Sequence, residues 1–188
     1  MESKKEHILK TALELFASDG LSVPTAKVAE QAGVANGTLF NYFPTKQDLI
    51  DELFLSIKKE MGCMFVSGTT DTSKNLKEIC SALWDSYVRW ALAHPQKSTV
   101  MNLIKTTKSV SPKAMGLVKD SFKPFHEMLL NGMQSGEIVD VGMDYLVQIM
   151  SAQFEVSVSH ASARKLKGKA LDEHIATGFK IFWKGIAR

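Results

Sequence analysis

Residues 23–50, VPTAKVAEQAGVANGTLFNYFPTKQDLI, hold two short helical stretches joined by a glycine turn and closed by a proline. Pro24 suits the first turn of a helix, where its missing N–H is one of those left unbonded anyway. Val28, Ala29 and Ala32 then form an inward stripe before Gly33, which predicts a helix over 24–32. A second is predicted over 35–42, because Pro44 restricts Phe43 and forbids easy continuation. At about 100° per residue, Leu39 and Phe43 fall on one face, while Gly37, Thr38 and Asn41 fall on the other, flanked by Phe40 and Tyr42. No acidic residue occurs between Gln31 and Thr45. A small, polar and aromatic outward face of this kind suits the DNA major groove: a bulky apolar face could not be left in water, and carboxylates would be repelled by phosphate.

The sequence on either side supplies more helices. Ser3 with Glu6 has the spacing of a capping box, and Ile8, Leu9, Ala12, Leu15 and Phe16 recur at helical spacing until Asp19-Gly20, predicting a helix over 4–18. Three helices in this order outline a helix-turn-helix. Downstream, Thr45 can cap a helix carrying Leu49, Ile50, Leu53, Phe54 and Ile57 as far as Met64, with a loop over 67–73. Further helices are expected over 75–93, 96–107, 111–134, 143–163 and 170–187, with Pro124 kinking or splitting the third of these. Strand signals are nearly absent. The expected fold is all-α, with an N-terminal three-helix helix-turn-helix domain over residues 1–47 and a helical regulatory domain of about six helices over 48–188.

From Val23 to Ile50 the chain resembles the TetR family of bacterial regulators. Val28-Ala29, Ala32-Gly33-Val34, Gly37-Thr38-Leu39, Tyr42-Phe43 and Lys46 with Leu49 stand at the family's spacings, and Ile8-Leu9, Ala12, Leu15-Phe16 and Gly20 resemble its first helix. The resemblance implies that Asn36, Thr38, Phe40 and Asn41 meet base edges or adjoining sugars, with Gly37 letting the backbone come close. It implies that Thr25, Tyr42 and Lys46 hold phosphates, with Lys27 as a further candidate, setting register without reading sequence. Three positions depart from the family pattern: Pro24 replaces a common threonine, Ala35 a capping serine and Phe40 a frequent tyrosine. The loss of the serine leaves Asn36 open between capping the helix and meeting a base.

Charge alone does not point to nucleic acid. The chain carries a net charge of +3, but residues 1–60 hold seven lysines against nine carboxylates, a balance of −2. Cys63 and Cys80 have no metal-ligand spacing and read as small buried apolar residues. His7, His94, His126, His160 and His174 are scattered, and HExxH, CxxC and a glycine-rich phosphate loop are all missing. The expectation is a non-enzyme with no cofactor and no metal. No apolar run reaches the length that spans a bilayer and the N-terminus is charged, so a cytoplasmic chain with no membrane partner is expected.

Beyond Asp48 the helices bring many aromatic and methionine side chains, of which Trp84, Tyr87, His126 and Gln153 are the candidates for lining a cavity that takes a small, partly apolar effector. The last helix presents Ile175, Phe179, Phe182 and Ile186 as a stripe, with Gly178 permitting close approach. The resemblance implies that this stripe joins a four-helix interface of a homodimer, which would place two recognition helices on a palindromic operator in double-stranded DNA. The function so implied is a ligand-responsive transcription regulator, most often a repressor, released from its operator by the effector. The alternative is a helical small-molecule-binding or protein-docking module that has lost sequence-specific DNA binding.

Overall fold

A computed structural model describes residues 3–69 and 74–188. Ten helices are found among them: α1 (Lys4–Asp19), α2 (Thr25–Gln31), α3 (Asn36–Tyr42), α4 (Lys46–Thr69), α5 (Leu76–Ala93), α6 (Pro95–Thr107), α7 (Pro112–Ser121), α8 (Lys123–Gln134), α9 (Met143–Ala163) and α10 (Gly168–Ile186). No strand occurs among the described residues beyond an isolated bridge between Ile138 and Ala187. The three helices of 1–47 precede seven others, one more than expected. The extra one arises because the stretch 111–134 divides at Phe122, with Pro124 in the first turn of α8, where a proline belongs. The fourth helix also outruns its expected end at Met64 and reaches Thr69, so the loop expected over 67–73 begins later than its composition suggested; residues 70–73 of that loop lie outside the described residues.

The chain divides into two compact units, one formed by residues up to Glu60 together with His94–Asp120, the other by Met61–Ala93 with Ser121–Arg188. In the first, α1 packs on α2 and along α6, and α2 packs on α3. Ile8, Ala12, Leu15 and Phe16 of α1, Val28 and Ala29 of α2, Leu39 of α3 and Leu49, Leu53 and Phe54 of α4 are all buried, the faces that their helical spacing assigned inward. The α1 capping box is complete: the Glu6 N–H donates to Ser3 Oγ at 3.2 Å and the Ser3 N–H to Glu6 Oε2 at 2.8 Å. The Ser3 N–H, and after it the Ser3 hydroxyl donating to the same Oε2 at 3.0 Å, hold the Glu6 carboxyl below its ordinary range.

The second unit is built around Trp84 of α5, which is 1 % exposed and is enclosed by Phe154 of α9 and Phe179 and Phe182 of α10, at ring-centroid distances of 4.6, 6.1 and 5.3 Å. Gly178 makes this approach possible, since a Cβ there would lie 3.0 Å from Ser157 Oγ and 3.5 Å from the Trp84 ring. Ile175, Phe179, Phe182 and Ile186 are therefore buried inside their own subunit. This corrects the expectation that they face a partner: the aromatic core of α5 and α9 takes the stripe first. The C-terminus is pinned by Val139 N–H donating to the Ile186 carbonyl at 2.7 Å and Arg188 N–H to that of Glu137 at 3.1 Å. Arg89 bridges Asp85 at 2.9 Å and Asp172 at 2.6 Å, linking α5 to α10. Of the cysteines, Cys80 is buried and its thiol pushed up to about 12, first by desolvation and then by Glu137, but Cys63 is exposed, against expectation, because it points away from the buried Met61 and Phe65 of the same helix.

Candidate nucleic-acid interface

The turn between α2 and α3 is closed by backbone bonds: Gly33 N–H reaches the Glu30 carbonyl at 3.0 Å and Val34 N–H that of Ala29 at 3.0 Å, with Gly33 at a φ of 63° that favours glycine. α3 starts at Asn36 with Ala35 as its N-cap and no side-chain capping bond. Asn36 thus stands inside the first turn, and its amide is not consumed in capping. The helix buries Leu39, and Phe43 just beyond it, while Asn36, Gly37, Phe40, Asn41 and Tyr42 are exposed and Thr38 is half-buried. Phe40 and Tyr42 leave 42 % and 43 % of their surface in solvent, so the two aromatics flank the polar face as expected and do not fold into the core. A Cβ at Gly37 would meet nothing within 4 Å, so its absence serves no packing within the chain.

The polar groups on this face have no internal employment. Among the described residues the side chains of Thr25, Asn36, Thr38 and Asn41 and the Tyr42 hydroxyl make no hydrogen bond within the chain, and Lys46 makes no ion pair. Lys46 opens α4, where a cation gains nothing from the helix dipole, and partial burial pulls its pKa below the ordinary lysine range. It is held there by a second capping box, in which Asp48 N–H donates to Thr45 Oγ1 at 3.1 Å and Thr45 N–H to Asp48 Oδ2 at 2.9 Å. Lys27 differs from the rest, its ammonium lying 2.7 Å from Asp19 Oδ2, and that bond lowers the Asp19 pKa. On the inner side, Lys5 reaches Glu52 at 2.6 Å and stands 5.9 Å from the centre of the Phe43 ring, tying α1 to the end of α3 and to α4.

The four candidates for an effector cavity fall in the second unit and do not converge. Trp84 and Tyr87 share Phe154, which lies 4.2 Å from Tyr87, and burial followed by the charge of Glu155 raises the Tyr87 pKa. The Trp84 Nε1–H is buried with no hydrogen-bond partner. His126 belongs to a different aromatic group, beside Phe122 and Phe125, which surround Phe65. Gln153 is half-buried on α9 and makes no hydrogen bond among the described residues. Sequence reasoning did not find the apolar side chains that α9 and α10 leave exposed, Tyr145 and Val156 on α9 and Ile181 on α10. Their only signal is that they lie off the buried stripes of their own helices.

A short helix presented outward on two packed helices, with polar and small residues on its free side, defines a helix-turn-helix protein with an all-α body. Residues 8–53 match the model of the bacterial regulatory proteins of the tetR family. A solved structure of a tetR family transcription regulator from Shewanella sp. PV-4 superposes with a TM-score of 0.89 at 28 % identity, covering 99 % of each chain. The fatty acid metabolism regulator protein of Bacillus subtilis is 28 % identical over 147 residues, 75 % of this chain and 73 % of that one. The transcriptional regulator LuxR of Vibrio harveyi is 36 % identical over 76 residues, a match that spans 37 % of its length. The ketosteroid regulator KstR2 of Mycobacterium tuberculosis, at 19 % identity and a TM-score of 0.69, shares the fold. Over its helix-turn-helix the chain matches the TetR family of bacterial regulators, and along its whole length it is similar to a solved regulator of that family.

Proposed function

We propose that this protein is a ligand-responsive transcription regulator that binds palindromic operator DNA as a homodimer and is released from it by a small molecule, acting as a repressor. The observation that carries the DNA half is the outward side of α3: Asn36, Thr38 and Asn41 are left without intrachain partners, Gly37 opens the backbone, and Lys46 stands unpaired at the adjoining helix start. Base edges satisfy the first set and a phosphate supplies the counter-charge that the Lys46 ammonium lacks. Thr25 and Tyr42 add phosphate contacts by their hydroxyls, and Lys27 joins them only by giving up Asp19. The protein works without catalysis, in the cytoplasm; among the described residues, no helix is long and apolar enough to cross a membrane.

Dimerisation falls to the outward sides of α9 and α10, where Val156 and Ile181 expose 67 % and 63 % of their surface with Tyr145 beside the same stripe of α9. The effector is an apolar compound bearing a hydrogen-bond acceptor. Support comes from the aromatic character of the second unit with its unpartnered Trp84 N–H, and from relatives named for fatty acid metabolism and ketosteroid regulation. Selecting duplexes from a random pool with the full chain tests the DNA half. One inverted-repeat sequence should be enriched, with log affinity falling against log salt; equal binding to all duplexes, or no binding, overturns it.

A further inference from the structure

The loop between α6 and α7 is fastened to the first turns of α4 across some sixty residues of sequence. Gln47 Nε2 donates to the Ser109 carbonyl at 2.8 Å and to Asp51 Oδ1 at 2.9 Å, and the same Asp51 oxygen accepts from the Ser111 N–H at 3.0 Å. The loop is itself ordered to meet these groups. Lys108 takes a left-handed φ of 51° to end α6, the Ser109 N–H returns to the Ile104 carbonyl at 3.2 Å, and the Thr107 and Ser109 hydroxyls are 2.6 Å apart. Ser111 Oγ accepts from the Ala114 N–H at 3.2 Å to cap α7, which leaves its own N–H for Asp51. Lys46 immediately precedes Gln47, and the Thr45–Asp48 capping box occupies the same turn.

We propose that Gln47 and Asp51 are positioning residues for DNA binding: a latch that holds the helix-turn-helix in one orientation on α4 and the α6–α7 loop, and so sets which half-site separation the dimer accepts. The proposal rests on the DNA reading above. A small rotation at the start of α4 displaces the recognition helix, so an unlatched head samples several orientations and must be ordered again on binding. It then fits several half-site separations, each less tightly. Simple electrostatics predicts something else for Asp51, because removing a carboxylate near phosphates strengthens binding equally on every duplex.

The experiment uses the full chain and the duplex that the wild type selects from a random pool, compared with versions one base pair longer or shorter at the centre. Wild type should lose about tenfold or more on either altered duplex, and the Gln47→Ala, Asp51→Ala double variant less than roughly threefold, with the weakened bonds visible as faster exchange of the Ser111 amide. Gln47→Glu, at an exposed site, removes the donor and repels Asp51; it should reproduce the flattened profile and decides the matter if the double variant does not fold. Variants that keep the wild-type melting temperature and the wild-type spacing profile overturn the latch. A wild-type chain that selects no duplex overturns instead the DNA reading beneath it.

Discussion

α3 and α10 each carry an apolar stripe opposed by a free face, yet the stripe meant different things in the two helices. In α3 the buried side, Leu39, belongs to a helix packed on α2, directly before it in sequence, and what remains is an outward face with no internal partners. In α10 the stripe of Ile175, Phe179, Phe182 and Ile186 could have been covered either by the same subunit or by a second copy. Trp84 and Phe154, from helices far away in sequence, cover it. An apolar stripe thus reports that something must cover it, and only the identity of the nearest large side chains says whether that cover is internal.

The largest expected effect tests the two sides of α10 against each other. Val156→Glu with Ile181→Glu should leave the fold intact, convert the dimer to a monomer in sedimentation, and weaken operator binding at least about 100-fold, because the two half-sites are no longer engaged together. Phe182→Ala, on the opposite side, should instead cost about 3–5 kcal/mol in denaturant unfolding. If the charged pair unfolds the chain while Phe182→Ala is silent, the assignment of the two faces is reversed. On α3, Asn41→Ala should lose about 1–3 kcal/mol on the preferred duplex and relax preference at one base position. A smaller change is expected from Lys46→Gln, which should reduce the slope of log affinity against log salt by about one, measured across a salt series. The smallest is Tyr42→Phe, a roughly two- to fivefold weakening that is equal on all operator variants, since a phosphate contact carries no sequence information. A shared loss pattern for Asn41→Ala and Tyr42→Phe would erase the division between reading and positioning.

Local signals were legible where a short segment satisfies itself. Ser3 with Glu6 and Thr45 with Asp48 close their capping boxes within three residues, and Gly33 closes its turn through Glu30 and Ala29. The α9 boundaries, Met143–Ala163, agree with the range expected from the sequence although no side chain caps the helix. The candidate site on α3 was legible for a related reason: its inward and outward sides are fixed by helical geometry alone. Asn36 needed the structure, because Ala35 and Asn36 compete for one cap position and the sequence favours neither outcome clearly. Lys27 needed it as well, since its pairing with Asp19 joins two helices.

By itself the sequence determined that this chain is all helix, that its first three helices form a helix-turn-helix, and which side of α3 faces outward, because capping, turn chemistry and 3.6-residue periodicity act over a few residues. Tertiary structure alone decided that the last helix spends its aromatic stripe inside the subunit, that Trp84 and Tyr87 gather around Phe154 while His126 does not, and that Asp51 meets Ser111. Those contacts depend on which distant side chains close-packing brings together, and no local spacing records that.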